Sequence, residues 1–478
     1  MGDLERLEAH RARARLGGGE KQIEAQHAKG KLTARERIDR FLDGGSFQEL
    51  DPYLVHRATD FGMADRKVPG DAVVTGLGKV GGRPVYVYAQ DFTVFGGSFS
   101  EAQAIKVARL MDLALQSGYP VVGLNDSVGA RIQEGVYSLA GYAELFWRNT
   151  RASGVVPQIS VMLGPCAGGS VYSPGLTDFV IMTRGLSHMF ITGPDVIRTV
   201  TGEEVDFDTL GGAEAHASRS GVAHFVADDE DDALAMARRL LGYLPASHRE
   251  PPPYVPSTDD PCRADVALDA QLSGDAVQPY DVRDVIGRIL DHDTFFEVHR
   301  YFAGSLVVGF ARLDGHVVGV VASQPAVADG GLGVDAADKA ARFVRFCDAF
   351  NAPLMTLVDG PGFAAEASEA RRGLVRHVAR LAFAYAEATV PRVALLVGRV
   401  TGGLYAMLGC PGRAADLAFA WPSAQFGPGL DVFEAAEAGL VNDVVKPSET
   451  RPRLIAVLEV LRGKAAVLPP RKHGNMPA

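Results

Sequence analysis

The sequence has no long hydrophobic run. None of its apolar stretches reaches the length that spans a membrane, and the first forty residues contain no apolar core of a signal peptide. Both absences predict a protein that has no membrane partner and that is located in the cytoplasm.

Cysteine is scarce. Cys166, Cys262, Cys347 and Cys410 lie far apart, and no two of them form a Cys-x-x-Cys pair. This spacing indicates neither a disulfide framework nor a zinc ribbon, and we predict no metal cofactor. Cys166 stands close to Gly168 and leaves two interpretations open, a nucleophile or a small packed thiol; the packed thiol is favoured.

An excess of positive charge is missing as well. Lysine and arginine number 48 against 58 aspartates and glutamates, and the formal net charge is −10. A nucleic-acid-binding surface requires a basic face, so we expect no nucleic-acid partner. The remaining composition, 47% hydrophobic and 22% charged, is typical of a globular protein with room for two or more domains.

What the sequence does contain is an internal repeat. Residues of the first half recur in the second half at an offset of 233 or 234 positions. The matching pairs are Gly82 and Gly315, Gly96-Gly97 and Gly330-Gly331, Lys106 and Lys339, Arg109 and Arg342, Pro120 and Pro353, Asp126 and Asp359, Pro157 and Pro391, and Gly168-Gly169 and Gly402-Gly403. A repeat of this extent predicts a duplicated domain.

Within each copy, helical patterns alternate with short apolar strands. Apolar residues recur at helical spacing over 100–117, and a short apolar run follows at 121–124. The second copy repeats this with a helix predicted over 336–350 and a strand over 354–358. The alternation predicts an α/β fold with mainly parallel sheets.

Proline separates the two copies. Six prolines fall within residues 245–261, and this density is typical of a linker. We therefore predict an N-terminal domain at 1–245, a linker at 246–261 and a C-terminal domain at 262–478.

One motif is misleading. Gly76, Gly78 and Gly81 match the Gly-x-Gly-x-x-Gly fingerprint of dinucleotide-binding proteins. That fingerprint requires a helix after the glycines, whereas a strand-like run follows here at 83–88. We therefore predict a β-hairpin and no dinucleotide site.

Basic residues are frequent near the N-terminus, where Thr33-Ala-Arg-Glu36 predicts a capped helix. They leave two interpretations open, contacts with phosphates or a solvated helix face, and the solvated face is favoured. The residues are Arg11, Arg13, Arg15, Lys29, Lys31, Arg35 and Arg37.

The repeated glycine pairs are the strongest candidates for a site. Each follows an apolar run, Ile159 to Leu163 before Gly168-Gly169 and Val393 to Val397 before Gly402-Gly403. Two glycines let the backbone turn sharply and approach a ligand, and free N–H groups at such a turn suit a developing negative charge. Each pair is interpreted either as an oxyanion hole or as a tight connection between a strand and a helix.

Six motifs spread over nearly the whole chain carry a resemblance to a known family. They are Lys31-Leu-Thr-Ala-Arg-Glu-Arg-Ile38, Gly164-Pro-Cys-Ala-Gly-Gly169, Thr201-Gly-Glu-Glu-Val205, Asp338-Lys-Ala-Ala-Arg-Phe343, Glu387-Ala-Thr-Val-Pro391 and Ala420-Trp-Pro-Ser-Ala-Gln425. Together they resemble the carboxyltransferase (β) subunit of biotin-dependent acyl-CoA carboxylases, of the propionyl-CoA carboxylase type. The resemblance implies two tandem crotonase-like (ClpP/crotonase) domains in a hexamer.

The resemblance also implies an activity. A carboxyltransferase subunit moves CO2 from carboxybiotin, held on a biotin carboxylase/biotin carrier (α) subunit, to the α-carbon of a short or medium acyl-CoA. The N–H groups of Gly168 and Gly169 would hold the thioester oxygen of the acyl group. Those of Gly403 and Leu404 would hold the oxygen of biotin.

Three departures from the family pattern lie in the second copy. Ala406, which with Gly402 would contact the substrate, replaces the family's acidic residue, and Leu404 replaces an alanine, so that its bulk is expected to narrow the pocket. The segment 360–373 lacks the usual Gln-Glu pattern, and the chain is shorter than its relatives between residues 425 and 442.

These departures keep two alternatives open. One is a biotin-independent acyl-CoA or acyl-carrier decarboxylase of the same fold, which would use only the Gly168-Gly169 hole. The other is a non-catalytic scaffold subunit.

Overall fold

The computed structural model describes residues 2–271, 280–427 and 429–477. They form two compact units, Met1–Arg249 and Glu250–Ala478. Within the described residues, none of the helices combines the length and the hydropathy that crossing a membrane requires.

The first unit, as far as it is described, is built on an eight-stranded sheet. Its strands are β1 (Gln48–Leu50), β2 (Val73–Val80), β3 (Arg83–Gln90), β4 (Val121–Ser127), β5 (Gln158–Ala167), β6 (Phe179–Thr183), β7 (His188–Phe190) and β8 (Phe225–Ala227). They lie in the order β1-β2-β3-β4-β5-β6-β8, and β7 pairs with the end of β5. Strands β1 to β3 are antiparallel, and the pairs from β3 onward are parallel.

Helices connect and cover these strands. They are α1 (Asp3–Leu16), α2 (Glu20–His27), α3 (Ala34–Phe41), α4 (Glu101–Ser117), α5 (Val136–Ala152), α6 (Tyr172–Leu176), α7 (Pro194–Thr201), α8 (Phe207–Gly211), α9 (Ala213–Ala215) and α10 (Glu230–Leu241). The predicted capping box is confirmed, because the Thr33 side chain accepts from the Glu36 N–H and the Glu36 side chain accepts from the Thr33 N–H.

The second unit repeats this design with a sheet in the order β15-β14-β13-β12-β11-β10-β9. The strands are β9 (Phe296–Val298), β10 (Leu306–Leu313), β11 (His316–Ser323), β12 (Leu354–Gly360), β13 (Arg392–Val400), β14 (Leu417–Ala420) and β15 (Asp443–Val444). Its helices are α11 (Val266–Gln271), α12 (Val282–Ile289), α13 (Val334–Ala349), α14 (Ala367–Arg371), α15 (Leu374–Glu387), α16 (Val432–Glu437) and α17 (Thr450–Leu461).

The predicted alternation of strands and helices is confirmed in both units. β4 and β12 are buried along their whole length, as expected for parallel strands covered on both faces. The run containing Gly76, Gly78 and Gly81 forms the predicted hairpin, because β2 and β3 pair as antiparallel strands.

The duplication is visible in single side chains as well as in topology. Lys106 on α4 and Lys339 on α13 are both buried, and both ammonium groups donate to backbone carbonyls of the loop that precedes the hairpin. Lys106 Nζ lies 3.0 Å from the Gly70 oxygen, and Lys339 Nζ lies 2.8 Å from the Phe302 oxygen. Each lysine therefore ties a central helix to the start of the antiparallel hairpin.

Two of the N-terminal basic residues are not on a surface at all. Lys31 and Arg37 are buried and form ion pairs with Asp126, at 2.7 and 2.9 Å. Arg37 also binds both carboxylate oxygens of Glu230 at 2.8 Å. For these two residues both sequence interpretations, the solvated face and the phosphate contact, were wrong, because buried carboxylates already neutralise them.

We expect Arg37→Ala to destabilise the first unit by about 3–5 kcal/mol, because it leaves Asp126 and Glu230 buried with less compensation. Urea unfolding followed by circular dichroism measures the change. Arg40→Ala on the same helix is the matched control, since Arg40 pairs with Asp231 in solvent and should leave the unfolding midpoint unchanged. Equal midpoints for the two variants would contradict the prediction.

Candidate active site

The first glycine turn (Gly168-Gly169) lies where β5 ends. Gly168 has φ +61°, in the left-handed region that residues with a Cβ atom rarely adopt. A 3₁₀ helix begins at this residue and passes into α6, so the backbone turns from a strand into a helix within a few residues.

Gly169 is required for a different reason. A Cβ atom on this residue would lie 2.8 Å from Cε2 of Tyr142, inside van der Waals contact. Tyr142 is itself held in place, since its ring stacks on Phe99 with centroids 4.0 Å apart and its hydroxyl shares a hydrogen bond of 2.8 Å with Ser170 Oγ. The tyrosine therefore packs directly against the turn and leaves no room for a side chain.

The two N–H groups of the first glycine turn differ in their surroundings, although Gly168 and Gly169 are both partly exposed. The parallel pairing of Ala167 with Phe190 directs the Gly168 N–H toward the Phe190 oxygen, whereas the Gly169 N–H has no acceptor among the turns and loops of the described residues. At the start of a helical turn such N–H groups carry a partial positive charge. Their position at the carboxyl end of a parallel strand is where ligands bind in α/β folds.

The second glycine turn (Gly402-Gly403) has the same backbone. Gly402 has φ +59°, and a Cβ atom on Gly403 would lie 2.7 Å from a ring carbon of Phe363. Neither N–H has an acceptor among the described residues. A π-helix over Tyr405–Gly409 follows, a rare conformation that is frequent at functional sites.

Leu404 differs from the sequence expectation. Its side chain is fully buried and packs close to Gly360, so its bulk lies in the interior of the unit. The prediction that it narrows the pocket is therefore wrong. Its N–H already donates to the Thr401 oxygen at 3.4 Å, a long bond, whereas the N–H of Gly402 is free.

Ala406 lies one residue into the π-helix and is exposed. The structure places Gly402, Gly403, Leu404 and Ala406 on one continuous segment at the end of β13. The roles assigned to these residues and to the first glycine turn stay a prediction.

Cys166 is not available as a nucleophile. It is fully buried beneath the first glycine turn, and burial raises the pKa of its thiol to about 12. The interpretation as a packed thiol is confirmed. Within residues 2–271, 280–427 and 429–477, no cluster of three His, Cys, Asp or Glu residues is placed to hold a metal ion.

Two contacts of the turns were missed by the sequence reasoning. Tyr142 and Phe363 pack against Gly169 and Gly403, but they do not occupy equivalent positions in the repeat, since Tyr142 belongs to α5 and Phe363 to the loop after β12. No sequence signal identifies them. The repeat did mark Asp126 and Asp359, which the structure buries at the ends of β4 and β12.

A cavity of about 510 Å³ opens beside β3 in the first unit. Two cations face it over aromatic rings: Lys29 Nζ lies 5.6 Å from the Phe92 centroid, and the Arg66 guanidinium lies 4.9 Å from the Phe95 centroid. Neither cation has an ion-pair partner in the described residues. Asp65 also lines the cavity and partly offsets the charge.

Comparison with known proteins defines the class. The family model described as the carboxyl transferase domain matches residues 25–428. Because this match covers most of the sequence, the chain belongs to the carboxyl transferase domain family, and it is an enzyme of that family with two tandem crotonase-like units.

Individual relatives are similar over nearly their whole length. The chain is 50% identical to the propionyl-CoA carboxylase carboxyltransferase subunit of Haloferax mediterranei, over 99% of both chains. It is 46% identical to the methylmalonyl-CoA decarboxylase subunit alpha of Veillonella parvula, over 99% of this chain and 98% of that protein.

A solved structure agrees with these relatives. The crystal structure of transcarboxylase 12S, a hexamer with bound methylmalonyl-coenzyme A, superposes with a TM-score of 0.97 at 44% sequence identity. The match covers 100% of this chain and 98% of that chain.

Gly169→Ala and Gly169→Val are expected to lower the carboxyl-transfer rate about 100- to 1,000-fold, because the added Cβ meets Tyr142 and displaces the turn. The measurement is kcat together with the melting temperature. Gly175→Ala serves as the control, since its Cβ would have nothing within 4 Å. Wild-type rates from Gly169→Val would remove the first glycine turn from the mechanism.

Proposed function

We propose that the chain is the carboxyltransferase subunit that moves CO2 from carboxybiotin on a carrier subunit to the α-carbon of a short or medium acyl-CoA. The observation that carries the proposal is the pair of glycine turns. Both reach the surface, both have a first glycine near φ +60°, and both follow a buried parallel strand of a crotonase-like unit.

The reaction explains why two turns are needed. Negative charge develops on the thioester oxygen when the acyl-CoA becomes an enolate, and on the ureido oxygen of biotin when its carboxyl group leaves. A single oxyanion donor is typically worth about 2.7–4 kcal/mol of transition-state stabilisation. One turn for each oxygen therefore accounts for a large part of the acceleration without any nucleophilic side chain.

The first glycine turn is assigned to the thioester, through the N–H groups of Gly168 and Gly169. The cavity beside β3 supports this assignment, because it belongs to the same unit. Its two cations without an ion-pair partner, Lys29 and Arg66, suit the phosphates of CoA.

The second glycine turn is assigned to biotin. It fits the ureido oxygen because it offers backbone donors, has no charged side chain within the segment 402–406 and is exposed at Gly402. The N–H groups of Gly402 and Gly403 are the freest donors, and that of Leu404 adds to them where its long bond to Thr401 opens. Biotin, carried by a separate subunit, supplies the carboxyl group.

The assembly we propose is the hexamer seen for transcarboxylase 12S. Apolar side chains are exposed along the loop before α5 and along the helix itself, at Ile132, Val136, Tyr137, Leu139 and Trp147. A row of this kind is typical of a surface covered by another subunit.

A decarboxylase is the second candidate. It is favoured by the similarity to a methylmalonyl-CoA decarboxylase subunit, which matches about as well as the carboxylase subunits do. The alignment with the Haloferax protein runs over 509 residues, more than the 478 of this chain, so segments of the relative are missing here. Their position between residues 425 and 442 remains a prediction.

One assay separates the candidates. The purified chain is incubated with malonyl-CoA and methylmalonyl-CoA, with and without a biotinylated carrier protein, and thioesters and carboxybiotin are followed by mass spectrometry. We expect loss of the thioester carboxyl group only when the carrier is present. Loss without carrier would favour the biotin-independent decarboxylase, and no reaction in either case would favour the scaffold.

Arg66→Ala is expected to raise KM for acyl-CoA about tenfold with kcat unchanged, because the guanidinium contacts a remote phosphate and not the reacting atoms. An acyl-pantetheine thioester, which lacks the nucleotide, is the matched substrate and should show no difference between the variant and the wild type. A change in kcat or an equal loss with both thioesters would contradict the assignment of the cavity.

A further inference from the structure

The strand that leads to each glycine turn contains the same irregularity. In the first unit, Asn125 pairs with Met162 and Ser127 pairs with Cys166, so one residue of β4 faces three residues of β5. The residue on β4 is Asp126, and the bulge opposite it covers 163–165. A bulge bends its strand and re-aims the residues that follow.

The second unit repeats the bulge at the equivalent position. Val358 pairs with Leu396 and Gly360 pairs with Val400, so Asp359 alone faces residues 397–399. In both units, therefore, an aspartate on the neighbouring strand lies opposite the bulge. Each bulge comes just before a glycine turn.

The carboxylate of each aspartate packs against the bulge on the neighbouring strand. A Cβ atom on Gly164 would overlap with the Asp126 carboxylate, and a Cβ atom on Gly398 would overlap with the Asp359 carboxylate. Both glycines are buried. The carboxylate thus occupies the space that a side chain on the bulge would need, and it packs against the bulged backbone itself.

Hydrogen bonds connect the carboxylates to the bulges, but the partners differ. Asp126 is held by Lys31, by Gln26 at 3.2 Å and by Arg37, whose Nη2 also donates to the Leu163 oxygen in the bulge at 3.1 Å.

In the second unit the connection is direct. The Arg399 N–H donates to Asp359 Oδ1 at 2.9 Å, and the Tyr280 hydroxyl donates to Oδ2 at 3.0 Å. The first unit has no such backbone bond because the equivalent residue is Pro165, which has no N–H. Burial raises the pKa of Asp359, which has no cationic side chain on its oxygens among the described residues.

We infer that Asp126 and Asp359 are positioning residues, each of which holds the bulge before a glycine turn and so sets the direction of the N–H groups in that turn. The inference rests on the proposed function for its catalytic consequence. Gly168 follows Gly164 by four positions, as Gly402 follows Gly398, so a change at the bulge is transmitted to the turn along a short stretch of backbone. A misplacement of about 1 Å can cost about 100-fold in rate.

The second unit offers the cleaner test, because removing Asp126 also leaves Lys31 and Arg37 buried without it. Asp359→Ala is expected to lower kcat of carboxyl transfer about 100-fold at saturating acyl-CoA, with KM for acyl-CoA changed less than threefold. Asp359→Asn keeps the shape and an oxygen acceptor for the Arg399 N–H, and it should recover most of the rate. Gly398→Ala should also lower kcat, because its Cβ meets the carboxylate.

The double variant Asp359→Ala/Gly398→Ala distinguishes a packing contact from two independent defects. The new methyl group then occupies the space left by the carboxylate, so the combined loss should be smaller than the product of the two single losses. Multiplicative losses, or a wild-type kcat in Asp359→Ala, would overturn the inference.

Hydrogen exchange gives a readout that does not depend on activity. Asp359→Ala should speed amide exchange in the peptide 397–409 with little change in the rest of the unit. Asp291→Asn is the control, since Asp291 is also buried and pairs with Arg451 at 2.7 Å, but does not lie at the bulge of β13. If the wild type transfers no carboxyl group, the proposed function fails, while unchanged exchange in Asp359→Ala would overturn the positioning role by itself.

Discussion

The glycine turn at the end of a buried strand is the constraint on which each unit depends, because it brings backbone N–H groups to the surface between a strand and a helix. Polar backbone groups left without partners cost free energy unless solvent or a ligand reaches them. The positive φ of Gly168 and of Gly402 sets the direction of the backbone in each turn, and packing of Tyr142 and Phe363 prevents the turns from relaxing. The strands, helices and bulges around the turns hold this backbone in place.

The two units hold equivalent buried aspartates, Asp126 and Asp359, with different partners. Asp126 is surrounded by cations from the N-terminal segment, so the first unit links its turn to a buried ion-pair network. Asp359 is held by a hydroxyl and a backbone N–H instead. Because each buried carboxylate has hydrogen-bond partners of its own, a duplicated unit can diverge in this way and keep its fold.

The relatives of this chain carry names of opposite reactions, a carboxylase subunit and a decarboxylase subunit. Addition of a carboxyl group to an acyl-CoA and its removal pass through the same enolate, so the fold alone does not set the direction. The direction depends on whether the partner supplies or removes the carboxyl group. Ala406 lies four residues after Gly402, and both glycine pairs are present in the sequence.

The sequence by itself determined the duplication, the alternation of strands and helices, the hairpin at Gly76 and the two glycine pairs, because these follow from local pattern and from the repeat. Only the tertiary structure decided that Lys31 and Arg37 are buried, that the Leu404 side chain points inward and that Tyr142 and Phe363 close on the turns. Those contacts join residues distant along the chain, such as Arg37 and Glu230, and a local pattern contains no information on which distant charge will meet a given side chain.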